Sequence, residues 1–322
     1  EINESRNQCK ERTSMTRWIL RQISFVYLLL SITSCTEKQG EFLKFSVLPR
    51  YVIVIVSQDA NHAGIAYYNL DGDFLGYVTD FKDIGGTPRG LASVGRNKIV
   101  TSVDVADGLY EVDLTGDRSL FYGSALFNGN IYDVEANEDR LYAIETNGIE
   151  VFTFDGTRQA SSYIATTVGG CTMNTPRGLG FQLDTGYLMV TNQGGTDNIL
   201  RYNVSGNTAT CVSSVAFGNN PWGVVSHPNG YIYVGTQGDD QIYRADPDGS
   251  NPTVVFATDT TIINDPTALA VMPNGDILVA SSTLDTIERL KPNGTRVGSK
   301  PFIQDSFSLN VSDILILETS EE

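Results

Sequence analysis

The sequence predicts an all-β chain, a six-bladed β-propeller of four-stranded antiparallel blades. Three observations predict it. A short segment opening on proline or a stand-in recurs along the chain. Two β-rich runs follow each copy, the second closed by a turn glycine. The two ends of the repeating region carry complementary fragments of one further copy.

The opening segments come first. Pro88-Arg89-Gly90-Leu91-Ala92, Pro176-Arg177-Gly178-Leu179-Gly180 and Pro221-Trp222-Gly223-Val224-Val225 align. Pro266-Thr267-Ala268-Leu269-Ala270 keeps the pattern with alanine for glycine, and Ile131-Tyr132-Asp133-Val134-Glu135 is a weaker copy in the remaining gap. The runs at 99–102, 141–144, 188–191, 232–235 and 277–280 are the second strands. The third runs close at Gly116, Gly156, Gly206, Gly249 and Gly294, mostly in Asp-Gly, Asn-Gly or Ser-Gly pairs, which is hairpin turn chemistry. At the N-terminal end, Tyr51–Ser57 has second-strand character and Gly64–Gly72 is a third strand with its turn, but no first strand precedes them. Phe307–Leu317 supplies it from the C-terminus. Closing one blade with both ends removes the open sheet edges of a broken ring. Five or seven blades would leave a strand set unpaired.

The repeat resembles the NHL family and, more loosely, the YVTN and gluconolactonase-like propellers, on the Pro-x-Gly-(Leu/Val)-Ala opening. The resemblance covers about residues 50–317 and implies fold far more than function. In the gluconolactonase-like family, residues at one mouth of the central channel include Asn and Asp that help to bind a divalent metal. The residue after each repeat proline is expected at that mouth. Here these residues are Arg89, Tyr132, Arg177, Trp222, Thr267 and, by the C-terminal alignment, Phe307. None is a good ligand for a hard cation. Arg89, Tyr132, Arg177, Trp222 and Phe307 are therefore the expected ligand-binding set. The alternative is a Ca²⁺ held by Asp133, Glu145 and Asn192 from another register.

The first residues carry an address. Arg17 and Arg21 precede an apolar stretch, Ile23–Ile32, that is too short to span a bilayer and reads as a signal peptide. Its end, Ile32-Thr33-Ser34-Cys35, resembles the bacterial lipobox, which implies cleavage before Cys35 and lipidation of that cysteine. The organisation expected is upstream read-through over 1–14, signal peptide over 15–34, tether over 35–49, one propeller domain over 50–318 and a tail over 319–322. Export to the cell envelope follows, with attachment to the membrane through lipid alone. In a Gram-negative cell, Thr36 after the cysteine leans towards the outer membrane or its periplasmic face.

Composition removes other classes. The 322 residues are 41% hydrophobic and 19% charged with 31 glycines, which fits neither a disordered tail nor a multi-span membrane protein. The net charge is −16, so nucleic acid is not an expected partner. Two histidines, His62 and His227, stand apart from any nucleophile motif, and no catalytic residue is assigned. Asp71-Gly72-Asp73 and Asp246-Pro247-Asp248-Gly249 lack the spacing of an EF-hand and read as hairpin turns. Cys171 and Cys211 both fall near blade 4. Export makes a disulfide feasible, and the spacing leaves its pairing open.

Three functions are weighed. The first is a lipid-anchored binding module without cofactor, whose channel mouth takes an anionic glycan, a peptide or an envelope protein. The second is a metal-dependent gluconolactonase-like or lyase-like enzyme. The third is an assembly module that makes contacts through the sides of its blades.

Overall fold

Strands buried on both faces read as continuous apolar runs, not as alternating ones. The second run of each repeat is such a strand: Val52–Val56, Leu141–Ile144 and Leu188–Val190 are all fully buried. Sheets with two apolar faces need a sheet on either side, and a ring of radially stacked blades provides this. The computed structural model describes residues 49–319, except 60, 105–107, 124–126, 128–129, 147 and 309. The segments expected to be signal peptide and tether lie outside the described residues, Cys35 included, except for residue 49.

Six sheets surround one axis. From the axis outward, blade 1 consists of Val311–Glu318, Tyr51–Ser57, Gly64–Tyr68 and Phe74–Asp80. Blade 2 is Thr87–Gly95, Lys98–Asp104, Gly108–Asp113 and Arg118–Tyr122; blade 3 is Ile131–Ala136, Arg140–Glu145, Gly148–Thr153 and Arg158–Ala165. Blade 4 is Thr175–Phe181, Leu188–Gln193, Asn198–Asn203 and Thr210–Ala216; blade 5 is Pro221–Ser226, Ile232–Thr236, Gln241–Ala245 and Thr253–Phe256. Blade 6 has three strands, Pro266–Val271, Ile277–Ser281 and Thr286–Leu290; isolated bridges from Ile303 and Arg296 fill its outer place. The core is divided into apolar clusters, each shared by two adjacent blades. One joins Tyr142, Ile144 and Ile149 of blade 3 to Leu188, Val190 and Leu200 of blade 4. The ring closes where Ile53, Ile55 and Ile314 of blade 1 meet Leu278 and Ala280 of blade 6.

The C-terminal strand pairs with Tyr51–Ser57 in antiparallel register from Tyr51–Glu318 to Ser57–Val311. It is the expected closing strand, but it begins at Val311, later than the expected Phe307. An Asp305–Ser308 turn causes the delay: the Asp305 carboxylate accepts the amides of Phe307 and Ser308. Ser312, not Phe307, therefore follows the strand's first residue at the place of the repeat arginines.

The repeat glycine has a steric cause. Each inner strand bulges between its proline and the leucine-type residue, at Pro88–Leu91 and Pro176–Leu179 for example. There the next blade's inner strand approaches closely. A Cβ on Gly178 would sit 2.2 Å from the carbonyl oxygen of Trp222, and one on Gly90 would sit 2.5 Å from the amide nitrogen of Val134. A short hairpin, Thr167–Val168 with Cys171–Thr172, precedes blade 4. It is tied to that blade's outer strand by a disulfide, Cys171–Cys211, across a Cα–Cα distance of 5.6 Å. The pairing left open by the sequence is thus made.

Candidate functional site: the channel mouth

The bulge turns the residue after each proline towards one mouth of the channel. Four of the five expected ligand-binding residues meet there in one stack. The Arg89 guanidinium carbon lies 6.0 Å from the Tyr132 ring centre; that of Arg177 lies 4.4 Å from Tyr132 and 5.0 Å from Trp222. Arg177 is thus held between two aromatic faces, each such contact contributing about 0.5–1 kcal/mol at an exposed site. The ring is completed by hydroxyls. Thr267 Oγ1 donates to the carbonyl of Val311 at 2.6 Å, and Ser312 Oγ donates to the carbonyl of Arg89 at 2.7 Å.

Phe307 is not part of this set. Its ring stacks on Phe74 at 4.8 Å and packs against Tyr77 and His62, at the outer side of blade 1. The Asp305 turn carries it away from the axis.

The two arginines differ in their partners. Arg89 donates from Nε (2.9 Å) and a terminal nitrogen (2.5 Å) to one oxygen of Asp104, at the end of the second strand of blade 2. Arg177 donates from Nε to the amide oxygen of Gln193 at 3.3 Å, and among the described residues it has no carboxylate partner. Gln193 is buried and is fixed in turn by donating from Nε2 to the Pro221 carbonyl at 3.3 Å.

Below the stack, Tyr132, Arg177, Trp222, Thr267, Ser312 and two carboxylates line a pocket of about 30 Å³. That is room for about two waters. The carboxylates belong to Asp133 and Asp313, which occupy the repeat glycine's place in blades 3 and 1. Each clamps two inner strands: Asp133 accepts the amides of Val134 and Leu179, both at 2.8 Å, and Asp313 those of Ile314 (2.7 Å) and Leu91 (2.6 Å). Burial pushes the Asp133 carboxyl up to about 7, against these hydrogen bonds. Burial and repulsion from Asp133 push Glu135 up to about 8 and Asp313 well above the usual carboxylate range.

The alternative calcium set is not brought together as ligands. Asp133 is engaged by the two amides. The Asn192 amide oxygen accepts from the backbone nitrogens of Asn174 and Thr175, and its nitrogen donates to Asn198. Glu145 is fully buried in blade 3's second strand. Among the described residues no group of three or more His, Cys, Asp or Glu side chains is placed to hold a metal. These residues do not fit the metal centre that the resemblance implies.

Asp313, Glu135, Ser312 and Gln193 were missed as site residues. The signal for Gln193 was present: aligning Ile99 with Leu188 places it opposite Asp104. Asp313 became visible only once the last strand's true start was known.

Comparison with known proteins yields fold. No protein-family model matches the sequence. No curated protein matches it either. Among solved structures, a chain of a nidogen/laminin complex superposes with a TM-score of 0.66 at 12% identity, over 84% of this chain and 99% of that one. A streptogramin B lyase gives 0.53 at 14% identity, over 68% and 70%. A gluconolactonase from Xanthomonas campestris gives 0.54 at 15% identity, over 66% and 75%. The chain is a six-bladed propeller with neighbours of the gluconolactonase-like kind. Those neighbours include a lyase, a gluconolactonase and a chain from a nidogen/laminin complex, so fold selects no activity.

Proposed function

We propose that this propeller is an exported, lipid-anchored binding module that takes an anionic glycan across its channel mouth. The observation that carries the reading is Arg177, flattened between Tyr132 and Trp222 with no carboxylate partner among the described residues. A guanidinium presents paired N–H groups in the geometry of a carboxylate. Trp222 beside it is the kind of side chain that takes the flat side of a sugar ring on a face the guanidinium leaves uncovered. The pocket beneath has room for about two waters, so a ring rests across the rim and does not descend the channel.

The test is calorimetric titration of the protein with oligogalacturonate and, in parallel, with an acidic peptide of equal charge. Arg177→Ala and Trp222→Ala should each weaken glycan binding by about 1–3 kcal/mol without loss of fold. Tight binding of the peptide alone would shift the ligand class to protein. Glycan binding that ignores both substitutions would move the site off the mouth.

Anchoring rests on the lipobox-like Ile32-Thr33-Ser34-Cys35. Cys35→Ser should abolish acyl-lipid labelling and release the protein from membranes. A wild-type protein that carries no lipid label would remove the anchor from this reading.

A further inference from the structure

The mouth contains an internal comparison. Blades 2 and 4 share Thr-Pro-Arg-Gly on the inner strand, at residues 87–90 and 175–178. The second strands also correspond. Thr87 pairs with Asp104 and Thr175 with Gln193; the bulge amide of Gly90 donates to Ser102 Oγ and that of Gly178 to Thr191 Oγ1. Asp104 and Gln193 therefore occupy one position in two copies of one structure. In blade 2 that position bears a carboxylate, and in blade 4 an isosteric head of one more methylene that bears none.

We infer that among the described residues the mouth has a single anion-reading group, Arg177, and that the residue facing each mouth arginine decides this, Asp104 compensating the charge of Arg89 and Gln193 leaving that of Arg177 uncompensated and available. This rests on reading the mouth as the binding site and adds its ligand valence: one carboxylate per propeller. Gln193 does more than omit a charge. Its nitrogen is spent on the Pro221 carbonyl, which turns its oxygen towards Arg177 Nε. Using Nε in this way leaves the terminal nitrogens of Arg177 for a ligand. Arg89 instead spends both Nε and a terminal nitrogen on Asp104.

Phenylglyoxal, which attacks accessible guanidinium groups, tests this without a ligand. Its rate at each arginine is read by peptide mass in the folded mature protein. Arg177 should react about ten times faster than Arg89, the factor expected where one charge-assisted pair must be broken. Asp104→Asn should raise the Arg89 rate by a similar factor, and Gln193→Glu should slow Arg177. Because Gln193→Glu also disturbs the Pro221 contact, Asp104→Asn is the deciding variant. A purely structural role for these positions would not produce a gain of reactivity at Arg89. Equal rates in the wild type, or an Arg89 rate unmoved by Asp104→Asn, overturn the inference. If the rates behave as expected while glycan binding ignores Arg177→Ala, the proposed function fails and the assignment of Asp104 and Gln193 stands.

Discussion

Asp133 and Asp313 stand where three other blades carry glycine, and they survive there because a short carboxylate can reach round the close approach to the neighbouring amide. Each adds a second acceptor at the bulge of the neighbouring blade: in blades 2 and 4 Ser102 and Thr191 accept the glycine amide, and Asp313 and Asp133 accept the amide of the leucine that follows. The cost is charge in a confined channel. Free carboxyls titrate near 4, whereas Asp133 is raised to about 7 and Glu135 to about 8, largely by burial. The folded state thus binds more protons than the unfolded chain between about pH 4 and 8, and stability falls as pH rises through that window. The melting temperature should be higher at pH 5 than at pH 8.5, and Glu135→Gln should shrink the difference. Thermal melts of both proteins check it; a wild-type melting point that rises towards pH 8.5 contradicts the channel assignment. At this scale the arginines and Trp222 were legible because each follows an easily aligned proline, and Tyr132 because Ile131 stands at the same place in a weaker copy. The carboxylate clamps were not, because each ties its own strand to a backbone amide of the neighbouring blade, which a sequence does not display.

The repeat that defines the blades was legible from turn glycines and doubly buried runs. Phe307 shows where that stopped. A β-rich text from 307 to 317 offers no mark of where pairing begins, and the Asp305 turn, a side-chain-to-backbone device, moved the start to Val311. The closing of the ring is unaffected. Deleting 303–322 removes Ile303, Val311, Ile314 and Leu317, all buried, each contributing roughly 1.5–3 kcal/mol. That loss is comparable with a typical net stability of about 5–15 kcal/mol. The truncated protein should show no cooperative melt by circular dichroism. A melt at the wild-type temperature would mean that Tyr51–Ser57 finds another inner neighbour. The Cys171–Cys211 bridge acts at the same scale, holding the hairpin before blade 4 to that blade's edge, and bridges of this kind typically contribute about 2–4 kcal/mol.

At the scale of the whole molecule, the contrast that matters is between a strongly acidic chain and Arg177 at its axis, which has no carboxylate partner among the described residues. Without residues 1–34 the chain has 17 basic against 35 acidic residues. Long-range electrostatics therefore slow the approach of a polyanion, and binding should depend on the local contact at Arg177 more than on steering. Neighbours at 12–15% identity share the ring and leave this site to be judged on its own chemistry. Trp222 is the only tryptophan after residue 34, so fluorescence of a chain beginning at Thr36, excited selectively at tryptophan, reports the mouth alone. Titrating that protein with oligogalacturonate should give a saturable change in Trp222 emission that survives Arg89→Ala and disappears in Arg177→Ala. Emission that stays flat while calorimetry records binding, or a curve unchanged by Arg177→Ala, would contradict the mouth as the site.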